Sequence, residues 1–284
     1  MKTQQRLYMI GAAKSGTTKL ADLLNQHPDI CLSSPKEPNF FTKRIFEQQS
    51  VDWYESLFEN PSAKFLLDAS TSYTAGWNKS SSDIAKRIVE FAPDATFIYI
   101  VRDPVQRAWS SYWHSKRSGA ESRRPEVVLG STESHHIQAS LYNNRIEDYL
   151  AYFPTENFHV IYFEEFTKAP EQFAHRLFSI LGLPTIELSE SAAEKTNSSF
   201  QWFGPFSILR RVPLSKLRML NNLIKSVLPR GFHDWLKRVV SKPIPKISDR
   251  IAKMIDQQVG DNMKDFNARF HSLRVKPVKS KDQI

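Results

Sequence analysis

Cysteine is almost absent: Cys31 is the only one in 284 residues. A lone thiol excludes an intramolecular disulfide and a cysteine-based zinc cluster, and it fits a reducing compartment. Long apolar runs are missing as well. No stretch approaches the roughly 18 uninterrupted apolar residues of a membrane span. The run before Gly11 is too short for a secretory signal. A soluble, cytoplasmic chain is the expectation. Internal repeats and low-complexity tracts are also lacking, and no composition shift marks a sharp domain boundary. Acidic residues are in the minority, 30 against 39 Lys and Arg, for a net charge of +9. Residues 201–250 hold eleven of the bases and two acids, which matches the whole excess. An anionic partner is expected near that segment.

What is present is an alternation of strand and helix signals from residue 6 to 183. "RLYMIG" (6–11), "ICLSS" (30–34), "KFLLDAS" (64–70), "ATFIYIVR" (95–102) and "FHVIYFEEF" (158–166) read as strands. Between and after them, residues 17–26, 81–93, 104–117, 141–153 and 169–183 have helical spacing. Thr17 or Ser15 is a cap candidate for the first helix, Ser82 or Asp83 for the second. Asp103 with Pro104 opens the third. Residues 118–136 read as a polar loop, and the last hundred residues contain no convincing strand. The pattern predicts an α/β fold: a P-loop-like three-layer sandwich around a mainly parallel sheet, with a helical C-terminal extension. Residues 1–200 form the α/β domain in this reading. Residues 201–284 form a basic helical region packed on it.

"GAAKSGTT" (11–18) joins the first strand to the first helix. Gly11 and Gly16 have the spacing of a phosphate loop, and a helix N-terminus presents amides and a favourable dipole to an anion. In an ATP-binding loop a lysine follows the second glycine; here Thr17 does, and the lysine, Lys14, sits mid-loop. The loop therefore suits a phosphate without the usual magnesium ligands. "YIVRDPVQRAWSSYWH" (99–114) supplies a second candidate. Arg102 stands at the carboxyl end of a strand and Ser110 lies eight residues on. A guanidinium fork and a hydroxyl could hold one phosphate. A surface ion pair for Arg102 and a packing contact for Ser110 are the plain alternatives.

"GAAKSGTTKLADLLNQHP", "KEPNFF" and "YIVRDPVQRAWSSYWH", in this order, resemble sulfotransferases that use 3′-phosphoadenosine 5′-phosphosulfate (PAPS). The resemblance is to the carbohydrate-modifying and bacterial branch and extends over residues 6–200, through "HVIYFEEF", "LFSILGLP" and "KTNSSF". It implies that Lys14, Ser15, Gly16, Thr17 and Thr18 cradle the 5′-phosphosulfate, with Lys14 neutralising the leaving oxygen. It implies that Arg102 and Ser110 hold the 3′-phosphate. Glu37, in "SSPKEPNFF", matches the glutamate that takes the acceptor's proton; by residue type alone it would be a loop carboxylate paired with Lys36. No metal is implied. "LLDASTSYT" (66–74) resembles a further segment but has Thr71 where proline is usual and Ala69 where some relatives carry lysine. That places close analogy to heparan-type enzymes in doubt. Ser70 and Tyr73 are candidates to line the acceptor cleft, with strand-end packing the alternative. His114 is a reserve proton-transfer group, while Phe40 and Phe41 read as core.

The implied activity is sulfuryl transfer from PAPS to a hydroxyl or amine of a carbohydrate, glycolipid or small molecule. Two alternatives stay open: a magnesium-dependent P-loop kinase, and a nucleotide-binding membrane-docking module without turnover. Leu214, Leu217, Leu220, Ile224 and Val227 give residues 208–240 the look of a basic amphipathic helix. Such a helix could rest on an anionic membrane surface or simply pack on the core. No nucleic-acid motif accompanies the charge.

Overall fold

The computed structural model describes residues 4–60, 62–76, 81–189, 200–202 and 241–278. Five strands form one parallel sheet: β1 (Gln5–Gly11), β2 (Ile30–Leu32), β3 (Phe65–Asp68), β4 (Thr96–Val101) and β5 (Phe158–Tyr162), ordered β2-β3-β1-β4-β5. Two-residue periodicity sends the side chains of the central strands to opposite faces. Leu7, Met9, Ile98 and Ile100 pack on one face with α1 (Thr17–Leu24) and α10 (Pro170–Ile180). Tyr8, Ile10, Phe97 and Tyr99 pack on the other with α4 (Ser81–Phe91) and α8 (Tyr142–Leu150). Strands buried on both faces read as continuous apolar runs, which is why "LYMI" and "FIYIV" stand out.

The chain leaves β1 outward to β2 and returns to β3, then crosses to β4 and β5 on the far side of β1. Winding reverses between β1 and β4. The carboxyl ends of strands at such a reversal form the ligand crevice of open α/β sheets. Gly11 ends one of these strands and Arg102 follows the other.

Several local expectations change. Residues 118–136 include two short helices, α6 (Pro125–Leu129) and α7 (His135–Gln138), each too brief to show a helical period in sequence. Phe163–Phe166 is a helical turn, α9, and not the end of β5. Among the remaining helices, α2 (Lys43–Phe46) and α3 (Val51–Glu55) are also single turns. The last hundred residues do contain strands, β6 (Phe200–Trp202) and β7 (Ser241–Pro243), paired antiparallel. Ser82 and Asp83 lie inside the first turn of α4, and the residue before it is outside the described residues. So is the whole basic segment 208–240, with Trp77 and most of "KTNSSF".

Two helices frame the site. α5 (Pro104–Ser118) starts at Asp103, whose Oδ1 accepts from Gln106 N at 2.8 Å, with Pro104 in the first turn; Gly119, at φ 79°, stops it. α11 (Asp249–Phe270) buries Ile251, Ile255, Val259, Phe266 and Phe270 along one side, against α5, α6 and α8. Among the described residues, no helix is long and apolar enough to cross a membrane.

Candidate active site

The β1–α1 loop depends on two glycines. At Gly11 (φ 158°) a Cβ would lie 2.1 Å from Thr74 Oγ1, the hydroxyl that donates to Ile10 O at 2.7 Å. Gly16 has φ 80° and occupies the N-cap of α1, where a Cβ would press on Phe163 and Phe166 at 3.2 Å. Neither Thr17 nor Ser15 caps the helix, because the left-handed turn puts Gly16 in that place and no side chain bonds the first amides. The uncapped amides and their dipole therefore suit an anionic ligand. Ser15 is fully buried, and its Oγ has no hydrogen-bond partner among the described residues. A buried orphan hydroxyl is costly unless something else bonds it. Thr17 is buried and Thr18 exposed on the first turn.

Lys14 takes φ 73°, which is uncommon for a residue with a side chain. Its carbonyl accepts from Arg102 Nη1 at 2.9 Å, a direct tie between the loop and the end of β4. The Arg102 guanidinium also lies 4.6 Å above the Phe163 ring. Its backbone is pinned by Tyr142, whose hydroxyl accepts from Arg102 N at 3.3 Å and donates to Arg102 O at 2.9 Å. Ser110 is buried on α5. Among the described residues, no hydrogen bond links it to Arg102.

Ser110, His114 and Arg117 follow each other at spacings of four and three, so they share a side of α5. Burial, then Arg117 and Arg102, lower the proton affinity of Lys14. Partial burial, then Lys14 and Arg117, push His114 down to about 4, with Glu37 opposing. Loop, helix and Glu37 thus converge on one another. Arg117 Nη2 donates to His114 Nδ1 at 2.9 Å, so the neutral imidazole carries its proton on Nε2. Arg117 is a third cation of the site that sequence reasoning missed, although its spacing from Ser110 was in plain view.

Glu37 sits in a turn behind β2, at φ 64°. Its Oε1 accepts from Lys36 Nζ at 2.9 Å and Thr71 Oγ1 at 3.3 Å. Lys36 also reaches Ala69 O at 3.4 Å, so its ammonium bridges the turn and the end of β3. Ser70 and Tyr73 point away from any acceptor role: both donate to the buried Asp68. Phe40 and Phe41 are core. His136 is buried with Nδ1 2.7 Å from Ser111 Oγ, a structural position on α7. The arrangement gathers three cations, Lys14, Arg102 and Arg117, beside a helix N-terminus without a side-chain cap, with the Glu37 carboxylate at its margin.

A family model described as "Sulfotransferase domain" matches residues 4–210. The mouse (Mus musculus) bifunctional heparan sulfate N-deacetylase/N-sulfotransferase 3 is 28% identical over 223 residues, 70% of this chain and 25% of the relative. Human (Homo sapiens) heparan sulfate glucosamine 3-O-sulfotransferase 6 is 30% identical over 187 residues, 63% of this chain and 52% of the relative. The chain thus spans between about a quarter and about half the length of these curated relatives. The crystal structure of a sulfotransferase from Alicyclobacillus acidocaldarius superposes with a TM-score of 0.57 at 26% identity, covering 68% of this chain and 90% of that one.

Proposed function

The chain belongs to the sulfotransferase family of enzymes, and from that premise we propose that it transfers a sulfuryl group from PAPS to a hydroxyl or amine of a carbohydrate or glycolipid acceptor. The observation that carries this reading is the Arg102–Lys14 contact, which brings the β1–α1 loop and the end of β4 together, so that the two ends of one bisphosphorylated nucleotide could be held side by side. In this reading the 5′-phosphosulfate lies on the α1 N-terminus, bonded by Ser15, Gly16, Thr17 and Thr18. The buried, unpartnered Ser15 hydroxyl fits such a ligand. Arg102 and Ser110 take the 3′-phosphate.

The acceptor oxygen or nitrogen forms a bond to sulfur as the bond between sulfur and the 5′-phosphate oxygen breaks. Glu37 receives the acceptor's proton. The electron pair stays on the departing phosphate oxygen, and the charge that develops there is balanced by Lys14 and the loop amides. A sulfuryl group carries less negative charge than a phosphoryl group, so a lysine and fixed dipoles suffice for the transfer without a metal. The two heparan sulfate relatives support a sugar acceptor. A cleft of about 570 Å³ beside Lys36, lined by Asn25, Ser33, Ser34, Glu59 and Asn60, offers polar groups suited to sugar hydroxyls.

Calorimetry with adenosine 3′,5′-bisphosphate and with ATP, followed by labelled-sulfate transfer into glycans and glycolipids, tests the reading. The bisphosphate should bind tightly, and a chelator should leave transfer intact. Preference for ATP with magnesium would overturn it.

A further inference from the structure

The mechanism leaves the most deeply buried carboxylate among the described residues, Asp68, unused. Asp68 ends β3 with no solvent exposure. Three hydroxyls donate to it: Ser70 to Oδ1 at 2.5 Å, Tyr54 and Tyr73 to Oδ2 at 3.0 and 2.7 Å. With its proton committed to Asp68, Ser70 Oγ accepts from Asn39 N at 3.0 Å. Asn39 Nδ2 in turn donates to Glu37 O at 2.6 Å, and Asn39 Oδ1 accepts from Ser72. Glu37 and Asn39 both take left-handed backbone angles, φ 64° and 56°. Asparagine tolerates that region; glutamate does so only where its surroundings impose it.

We propose that Asp68 is a positioning residue for Glu37: its buried carboxylate orients the Ser70 hydroxyl, Ser70 holds the Asn39 amide, and Asn39 holds the turn that presents the Glu37 side chain to the site. The inference rests on Glu37 being the proton acceptor. The relay requires the anion. A carboxylate only accepts hydrogen bonds, so it can receive all three hydroxyls and leave the Ser70 lone pairs facing Asn39 N–H. Once protonated, Asp68 loses its charge and carries a donor of its own, so its hold on the three hydroxyls weakens.

That protonation falls in an accessible range. Burial, with a smaller contribution from the charge of Glu37, raises the proton affinity of Asp68 to about 6 against the three hydroxyls that lower it. The other titratable groups packed around it are Tyr8 from β1, Tyr54 from α3, Tyr73, and Tyr149 from α8. Burial drives all four phenols up, so they remain neutral. The Arg6–Glu55 ion pair lies beyond Tyr8. Among the buried groups of this nest, Asp68 is the one whose charge changes near pH 6.

Asp68→Asn keeps the shape and replaces an acceptor by an amide donor. Misplacing the turn should lower kcat by about 10- to 100-fold above pH 7, with affinity for adenosine 3′,5′-bisphosphate unchanged. The share of the acid decline centred near pH 6 should vanish relative to wild type. Ser70→Ala cuts the same relay, so it should lower kcat alike, and the double variant should be no slower than the slower single one. A second readout needs no turnover: exchange of the Asn39 amide hydrogen should accelerate in both variants. Unchanged kcat in Asp68→Asn, losses that multiply in the double variant, or unaltered Asn39 exchange would each overturn the relay. If Asp68→Asn does not fold, Ser70→Ala decides through its kcat and its Asn39 exchange. A wild-type chain that transfers no sulfuryl group sinks the enzymatic reading instead, and the exchange measurement still decides the relay.

Discussion

Replacing Arg102 by alanine separates the two ends of the proposed nucleotide site. The half-buried guanidinium is held by the Lys14 carbonyl and by Phe163, and its backbone by Tyr142, so it meets a ligand already oriented. Hydrogen bonds to charged groups contribute about 1.5–3 kcal/mol each. At about 1.4 kcal/mol per tenfold, the Kd for adenosine 3′,5′-bisphosphate should rise by about 10- to 100-fold. Adenosine 5′-phosphosulfate lacks the 3′-phosphate and should lose only what the loosened loop costs, about 1 kcal/mol, or about fivefold. Arg102→Lys keeps the charge but not the fork and should fall between the two. The fold should survive, since one hydrogen bond and one cation–π contact together contribute about 1–2 kcal/mol. Calorimetric titration of both nucleotides against all three proteins measures the effect. Equal losses for the two nucleotides, or no loss for either, would refute the assignment of Arg102 to the 3′-phosphate.

Lys14→Ala should lower kcat by about 100- to 1,000-fold, as loss of an oxyanion donor does, and Glu37→Gln should abolish turnover while bisphosphate binding persists; single-turnover sulfate transfer checks both. Gly11→Ala drives a methyl group into Thr74 Oγ1 and should destabilise the fold by about 1–3 kcal/mol; chemical denaturation reads this, with partial relief expected when Thr74→Ala is added. His136 is held down to about 3 by burial, then by His135 and Arg107. Unfolding lets it return to its ordinary value near 6.5, so the unfolded chain binds the extra proton between those limits. Its contribution to stability is complete above about pH 6.5 and is lost as pH falls toward 3. His136→Gln should flatten the melting-temperature profile over that window, and an unchanged slope would contradict the placement.

The five-stranded sheet was legible because its central strands are buried on both faces and stand between glycine, proline and helical spacings. The Asp103–Pro104 helix start was legible for the same local reason. The β1–α1 loop and the end of β4 could be located as well, since each is contiguous in sequence. Single-turn helices such as α6 and α7 are too short to display a period. β6 and β7 are three-residue strands paired from nearly forty residues apart, and no local signal announces them. Asp68 read as the end of a strand. Its bonds to Tyr54, Ser70 and Tyr73, and its route to Glu37, arise only when three separate segments meet. Left-handed angles at Lys14 and Glu37 were equally hidden, because neither residue type favours them.

The outer flank of β5 meets the far end of the chain. Val275 N donates to Val160 O at 2.8 Å, and Arg274 forms a bridge with Val160 and an ion pair with Glu165. During synthesis this strand must therefore wait, unpaired along one side, while more than a hundred further residues emerge from the ribosome. A raw strand border of that kind invites wrong partners. Trimming the protein at the end of the matched domain would make the wait permanent, and a shortened version should be prone to clumping even if every group around the nucleotide pocket were retained.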